Sequence, residues 1–196
     1  ETTGASGTVI YFGCPAEENG SAKAFLARDG VFGALDAALS WHPADTTGVR
    51  NLTTLANRKV LYRFDGVAAH ASIQPHLGRS ALDAVELMNV GANFLREHVI
   101  DAARIHYAVT EAGDAPNVVQ SHAEVLYLMR APQNADVADI YERVNNIAAG
   151  AALMTGTTVS RVFIKGCSNT VLNQTIERVL YKYLLEIGAP QPDAAD

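Results

Sequence analysis

The chain has 196 residues, enough for one large domain or two small ones, and at 48% hydrophobic and 18% charged it can fill a packed core. The formal net charge is −6 with no Lys/Arg cluster, which argues against nucleic acid as the main partner. The apolar stretches, such as Ile147 to Met154, are interrupted by Gly or too short to span a bilayer.

The first expected element is a buried, parallel strand over Gly7 to Gly13 (GTVIYFG). Ser21 to Arg28 has helical composition and Gly30 stops it; Asp36 to Trp41 reads as a second buried strand. Strand, helix, strand at this spacing is an α/β unit, and in open α/β sheets the chemistry lies beyond the carboxyl ends of the strands. Both ends carry unusual residues, Cys14-Pro15-Ala16-Glu17-Glu18 and His42-Pro43. The polar stretch Asp45 to Asn57 reads as a linker.

Regular patterning follows. Lys59 to Val67 alternates with Val60, Tyr62 and Phe64 on one face, and Ser80 caps a helix to Val99 whose apolar set is Leu82, Val85, Leu87, Met88, Phe94 and Leu95. Arg104 to Thr110 and His122 to Met129 alternate as strands, with turn chemistry at Gly113-Asp114-Ala115-Pro116-Asn117 between them. Asn134, as cap, opens a helix to Thr155 with Val137, Ile140, Tyr141, Val144 and Ile147 on one face, and Thr158 to Ile164 is the last strand. The order strand, helix, strand, strand, helix, strand is the ferredoxin-like βαββαβ plan: a four-stranded antiparallel sheet with two helices on one face. A final helix, about Thr170 to Ile187, ends at Gly188 and belongs to neither hairpin. The expected domains are therefore 1–56, a partial α/β catalytic domain; 57–167, an α+β lid and pairing domain; and 168–196, a helix returning to the first domain with a tail. Exposed sheet edges invite pairing, with Leu61, Tyr127 and Phe163 as side chains a second copy would cover.

Two cysteines, Cys14 and Cys167, are too sparse for a disulfide framework; buried or half-buried thiols and a reducing cytoplasm are expected. The chain opens Glu-Thr-Thr-Gly, without initiator Met or signal peptide, and the expectation is a fragment.

Adjacent carboxylates such as Glu17 and Glu18 suit metal-assisted hydrolysis, one ligating a metal and the other taking a proton from water. They equally suit the positive end of a helix dipole. His42, at a strand end, has the donor chemistry of a metal ligand and also that of an ordinary hydrogen-bonded histidine. Glu18 and His42 are fewer than the three protein ligands a catalytic zinc wants. His76, His98, His106 and His122 are read as structural.

The run from Gly7 to Pro43 resembles the second half of the catalytic domain of the two-zinc aminoacylase and carboxypeptidase G superfamily. The Cys-Pro-Ala-Glu-Glu and Trp-His-Pro forms and the segment AAHASIQPHLGRSALDAVELMNVG are most similar to its aminobenzoyl-glutamate hydrolase branch. The resemblance implies that Glu17 is the general base, that Glu18 and His42 ligate two zinc ions together with residues outside this chain, and that 57–167 is the lid that pairs two subunits. It assigns His70, in Gly66-Val67-Ala68-Ala69-His70-Ala71, to polarising the scissile carbonyl in the partner's site, and Asn117 and Arg130 to substrate contact. His70 otherwise reads as a loop histidine, Asn117 as a turn residue and Arg130 as a solvated strand-end cation. The implied activity is zinc-dependent hydrolysis of an amide joining an acyl or aroyl group to an amino acid such as glutamate, by a homodimer. The competing expectation is a non-catalytic dimerisation or small-molecule-binding module, since ferredoxin-like domains often do only that.

Overall fold

The computed structural model describes residue 4 and residues 6–189, and the chain divides into two compact units, Glu1–Leu39 and Ser40–Asp196. The first unit holds two short helices, α1 (Glu17–Gly20) and α2 (Ala22–Arg28). Phe12 packs edge-on against Phe32 at 5.1 Å. The strands expected over 7–13 and 36–41 do not form: these residues join no sheet and Asp36 lies in a bend, with Val9 97% and Trp41 79% exposed. A buried strand needs neighbours for its N–H and C=O groups, and the described residues supply none alongside either segment.

The second unit is built on β1 (Ala56–Asp65), β2 (Arg104–Glu111), β3 (His122–Ala131) and β4 (Thr158–Cys167). They form one antiparallel sheet in the order β2-β3-β1-β4. Two helices, α3 (Ala81–Leu95) and α4 (Asn134–Thr155), pack on one face, giving the expected βαββαβ plan. Period-two alternation drives this: Val60, Tyr62 and Phe64 of β1 and Ala123, Val125, Tyr127 and Met129 of β3 are all buried beneath the helices. Val85 and Met88 of α3 and Val137, Ile140 and Val144 of α4 meet them. Gly91 lets the helices approach, because a Cβ there would lie 2.7 Å from Ile147 Cγ2. The core tyrosines keep their hydroxyls satisfied, Tyr62 donating to Asn145 Oδ1 at 2.8 Å and Tyr127 to Asn89 Oδ1 at 2.7 Å.

Ser80 caps α3 as expected, its Oγ accepting from Asp83 N–H at 3.1 Å. Several local expectations are corrected. Asn134 is not a cap: Gln133 holds that position, and Asn134 Nδ2 donates instead to Ser168 Oγ at 2.7 Å. Of the apolar set named on α3, Leu87 and Phe94 are 38% and 73% exposed, because the helix buries a stripe narrower than its apolar content. Tyr127 is fully buried against Tyr62 and is no part of an exposed surface. The last helix, α5 (Gln174–Ile187), starts later than expected, capped by Asn173 Oδ1 accepting from Ile176 N–H at 3.2 Å. Both cysteines are free and half-buried. No helix among the described residues is long and apolar enough to cross a membrane.

Candidate functional site

Glu17 and Glu18 occupy the first turn of α1, behind Ala16, whose φ of 53° is left-handed. That conformation is unfavourable for a residue with a Cβ, and it fixes the bend from which the paired carboxylates emerge. Glu17 lies 3.9 Å from Lys23 Nζ, and both side chains are about half exposed. His42 is exposed in the second unit, and its Nδ1 is 2.7 Å from the Pro43 carbonyl. A carbonyl only accepts, so Nδ1 carries the proton and Nε2 keeps its lone pair, the tautomer a metal ligand needs. One carboxylate and one imidazole are still short of a catalytic zinc centre, and the donors present do not by themselves fit one.

The lid residues are placed by two loops that knit together. Loop 66–79 leaves β1 and returns to α3; Val67 and Arg79 exchange backbone hydrogen bonds of 2.9 Å, and Gly66 N–H donates to Ser121 O at 2.8 Å. Gly66 is obligatory there, since a Cβ would sit 2.0 Å from the Arg79 carbonyl oxygen. The loop lies antiparallel to 117–119: Ala71 N–H donates to Asn117 O at 3.0 Å, Val119 N–H to Ala69 O at 2.9 Å, and His70 bridges Val118. His70 and Asn117, far apart in sequence, are thereby neighbours. His70 Nδ1 faces Ser72 N–H at 3.3 Å and can only accept, so in the neutral ring the proton is on Nε2, directed outward from an exposed loop.

Arg130 is not brought to them. It lies near the opposite end of β3, eight steps beyond His122 at about 3.4 Å each, roughly 27 Å along the strand. The loop that carries His70 leaves from the His122 end, so His70 and Arg130 belong to opposite ends of the sheet.

The structure also assembles a cluster absent from the sequence expectations, where His122 was structural. His122 Nδ1 is 2.7 Å from Asp65 Oδ1, and its Nε2 is 3.7 Å from Glu111 and 3.6 Å from Glu124. Glu124 in turn accepts from Arg63 Nε at 2.6 Å. The hydrogen bond that His122 donates to Asp65 is the first cause holding its imidazole above its ordinary pKa, opposed by desolvation and reinforced by the Asp65 and Glu111 charges. Glu111, His122 and Glu124 offer ligand atoms within 4.8 Å of one another, a spacing a divalent ion would accept. Arg63, joined by the imidazole whenever it is protonated, offsets this charge, and the cluster serves as an electrostatic tie between β1, β2 and β3. The one local signal was His122 and Glu124 two apart on the same strand face; Asp65 and Glu111 join only through the register.

Residues 55–153 match the family model described as the peptidase dimerisation domain of M20 peptidases. The chain is 56% identical over 97% of its length to one of the subunits of the Escherichia coli p-aminobenzoyl-glutamate hydrolase, and 30% identical over 92% to the human Xaa-Arg dipeptidase. It spans 40% of the length of each of these relatives. Among solved structures, it resembles an aminobenzoyl-glutamate utilization protein from Klebsiella pneumoniae, with a TM-score of 0.59 and 26% identity, over 68% of this chain and 34% of that one. It shares its fold with a hydantoinase/carbamoylase family amidase from Burkholderia vietnamiensis, with a TM-score of 0.61 and 16% identity, over 69% of this chain and 33% of that one.

Proposed function

Since the chain belongs to the M20 peptidase family through its dimerisation domain, we propose that it is the lid and part of the catalytic region of a metal-dependent amidohydrolase. The full-length protein cleaves an amide between an acyl or aroyl group and an amino acid, of the aminobenzoyl-glutamate kind named for its relative. The observation that carries this reading is the pairing of loop 66–79 with 117–119, which sets His70 beside Asn117 with an outward Nε2–H. In this role Nε2–H donates to the oxyanion that develops as water adds to the scissile carbonyl. Asn117 orients the amide. Glu17 takes the proton of the attacking water and passes it to the leaving nitrogen. Arg130 holds the carboxylate of the amino-acid half with its guanidinium fork.

M20 peptidases are generally metal-dependent. We assign Glu18 and His42 as two donors for zinc, which when bound polarises the carbonyl and acidifies water. Further donors are then needed from the part of the protein that its longer relatives possess. Region 1–56 belongs in this reading to the catalytic domain, 57–167 is the lid, and α5 returns to the catalytic domain.

The roughly 27 Å of β3 between His122, at the end where the His70 loop leaves, and Arg130 supports a two-fold homodimer in which the two ends of one lid serve different sites. The pairing surface is the α3 side of the lid: Leu87, Val90 and Phe94 form an exposed stripe at 38%, 50% and 73%, near exposed Tyr107 and Val109 of the edge strand β2. The test mixes full-length Glu17→Gln with full-length His70→Ala, each nearly inactive, under subunit exchange. Half of the sites in every mixed dimer then carry neither mutation, so about a quarter of wild-type activity returns at equal mixing. No recovery despite demonstrated exchange refutes the role of His70 in the neighbour's site.

A further inference from the structure

The uncovered face of the sheet is electrically graded. Its side chains alternate with the buried set, so the register defines its rows. The first row is Arg104, Arg130, Asn57 and Cys167; the second is His106, Leu128, Lys59 and Lys165. These rows carry cations and no carboxylate, whereas the opposite end holds Asp65, Glu111 and Glu124. At that acidic end the charges are paired, as between Arg63 and Glu124 at 2.6 Å. Among the described residues no carboxylate stands within ion-pair distance of Arg104, Arg130 or Lys59.

Arg104 and Arg130 are directly opposite one another on β2 and β3. Like charges so placed repel, which costs stability unless an anion lies between them. Arg104 is held in position: its Nη1 donates to the carbonyls of Asp101 and Ala103, both at 2.6 Å, leaving Nε and Nη2 for a ligand. Desolvation first, and then the charges of Arg130, Arg96 and Arg104, keep His106 below its ordinary pKa, so the row beside the arginines adds a neutral imidazole.

We propose that Arg104 is a specificity-determining residue: with Arg130 it forms a twin-guanidinium site for the two carboxylates of a dicarboxylic amino acid. This rests on the reading of Arg130 as the group that holds the substrate carboxylate. Facing residues of antiparallel strands have Cα atoms about 4.5–5.5 Å apart. Each guanidinium can present a planar fork to one of two carboxylates joined by a short methylene chain. A monocarboxylic amino acid occupies Arg130 and leaves Arg104 without a partner.

The test compares acyl-glutamate with acyl-alanine as substrates of the full-length enzyme. In Arg104→Gln the preference for the glutamate substrate, as a ratio of kcat/KM values, falls about 10- to 100-fold, mostly through KM. Arg104→Lys restores only part of it, because an ammonium lacks the fork, and it carries the test alone if Arg104→Gln does not fold. An equal loss on both substrates, or no loss, overturns the proposal and leaves the amidohydrolase reading standing. Calorimetry with glutarate and butyrate on the same proteins needs no turnover. If neither amide is hydrolysed, the functional reading fails by itself. Tighter binding of glutarate than butyrate, abolished by Arg104→Gln, then still supports the twin site, and equal binding of the two acids refutes it.

Discussion

Gly66→Ala should damage the lid more than any other single methyl group added to it. The new Cβ meets the Arg79 carbonyl oxygen at 2.0 Å, its carbon at 3.0 Å and the Ala81 nitrogen at 3.3 Å. All three are backbone atoms, so no side-chain rotation relieves the clash and the two ends of loop 66–79 must separate. Three hydrogen bonds are at stake: Gly66 to Ser121, and the reciprocal pair between Val67 and Arg79. At about 1 kcal/mol each, their loss costs about 3 kcal/mol. For a unit of this size that lowers Tm by roughly 6–12 °C. The same opening shifts His70, and in the role proposed for it a displacement of about 1 Å lowers turnover on the order of 100-fold. Urea and thermal unfolding of the chain measure the first effect, and kcat/KM of the full-length protein the second. Gly91→Ala is the comparison: its Cβ meets the γ2 methyl of Ile147 at 2.7 Å, a side-chain contact that a small shift of the two helices relieves, and the helix propensity gained in losing a glycine offsets about 1 kcal/mol of that cost. Near-wild-type stability and turnover in Gly66→Ala would refute the close approach and the placement of His70 that depends on it.

Two further outcomes follow from the same geometry. The raised pKa of His122 means that its ties to Asp65, Glu111 and Glu124 stabilise the fold fully below the unfolded value of about 6.5. That contribution fades as pH rises through the folded value; with the ring 36% exposed it amounts to at most about 1 kcal/mol. Urea midpoints in wild type should therefore fall more between pH 6 and pH 9 than in His122→Gln, and parallel pH curves would count against the tie. Phe94→Glu places a charge on the exposed stripe of α3, where the proposed two-fold contact would use the residue twice. Each Phe is worth about 1.5–3 kcal/mol of burial, so sedimentation should show dimerisation weakened by at least about 100-fold; an unchanged dimer places the contact elsewhere.

The lid's elements were written locally. Alternation from Val60 to Phe64 and from Ala123 to Met129, the apolar stripe from Val137 to Ile147 and the Ser80 cap each concern residues within a few positions, and sheet and helix periods read them directly. The resemblance of Cys14–Glu18 and Trp41–Pro43 to a known hydrolase pattern was likewise visible without coordinates. Tertiary structure decided what depends on partners distant in sequence. Residues 7–13 have strand composition but form no strand, because a β-strand is completed only by neighbours. Leu87 and Phe94 fit the helical period yet face outward, since packing geometry selects which part of an apolar helix is covered. His70 meets Asn117, and Arg104 meets Arg130, only through loop pairing and strand register. A one-residue slip between β2 and β3 would put Arg104 and Arg130 on opposite faces and would likewise part Glu111 from His122. The side-chain types are therefore local information, while their juxtaposition is set by the collective burial that locks the register of the sheet.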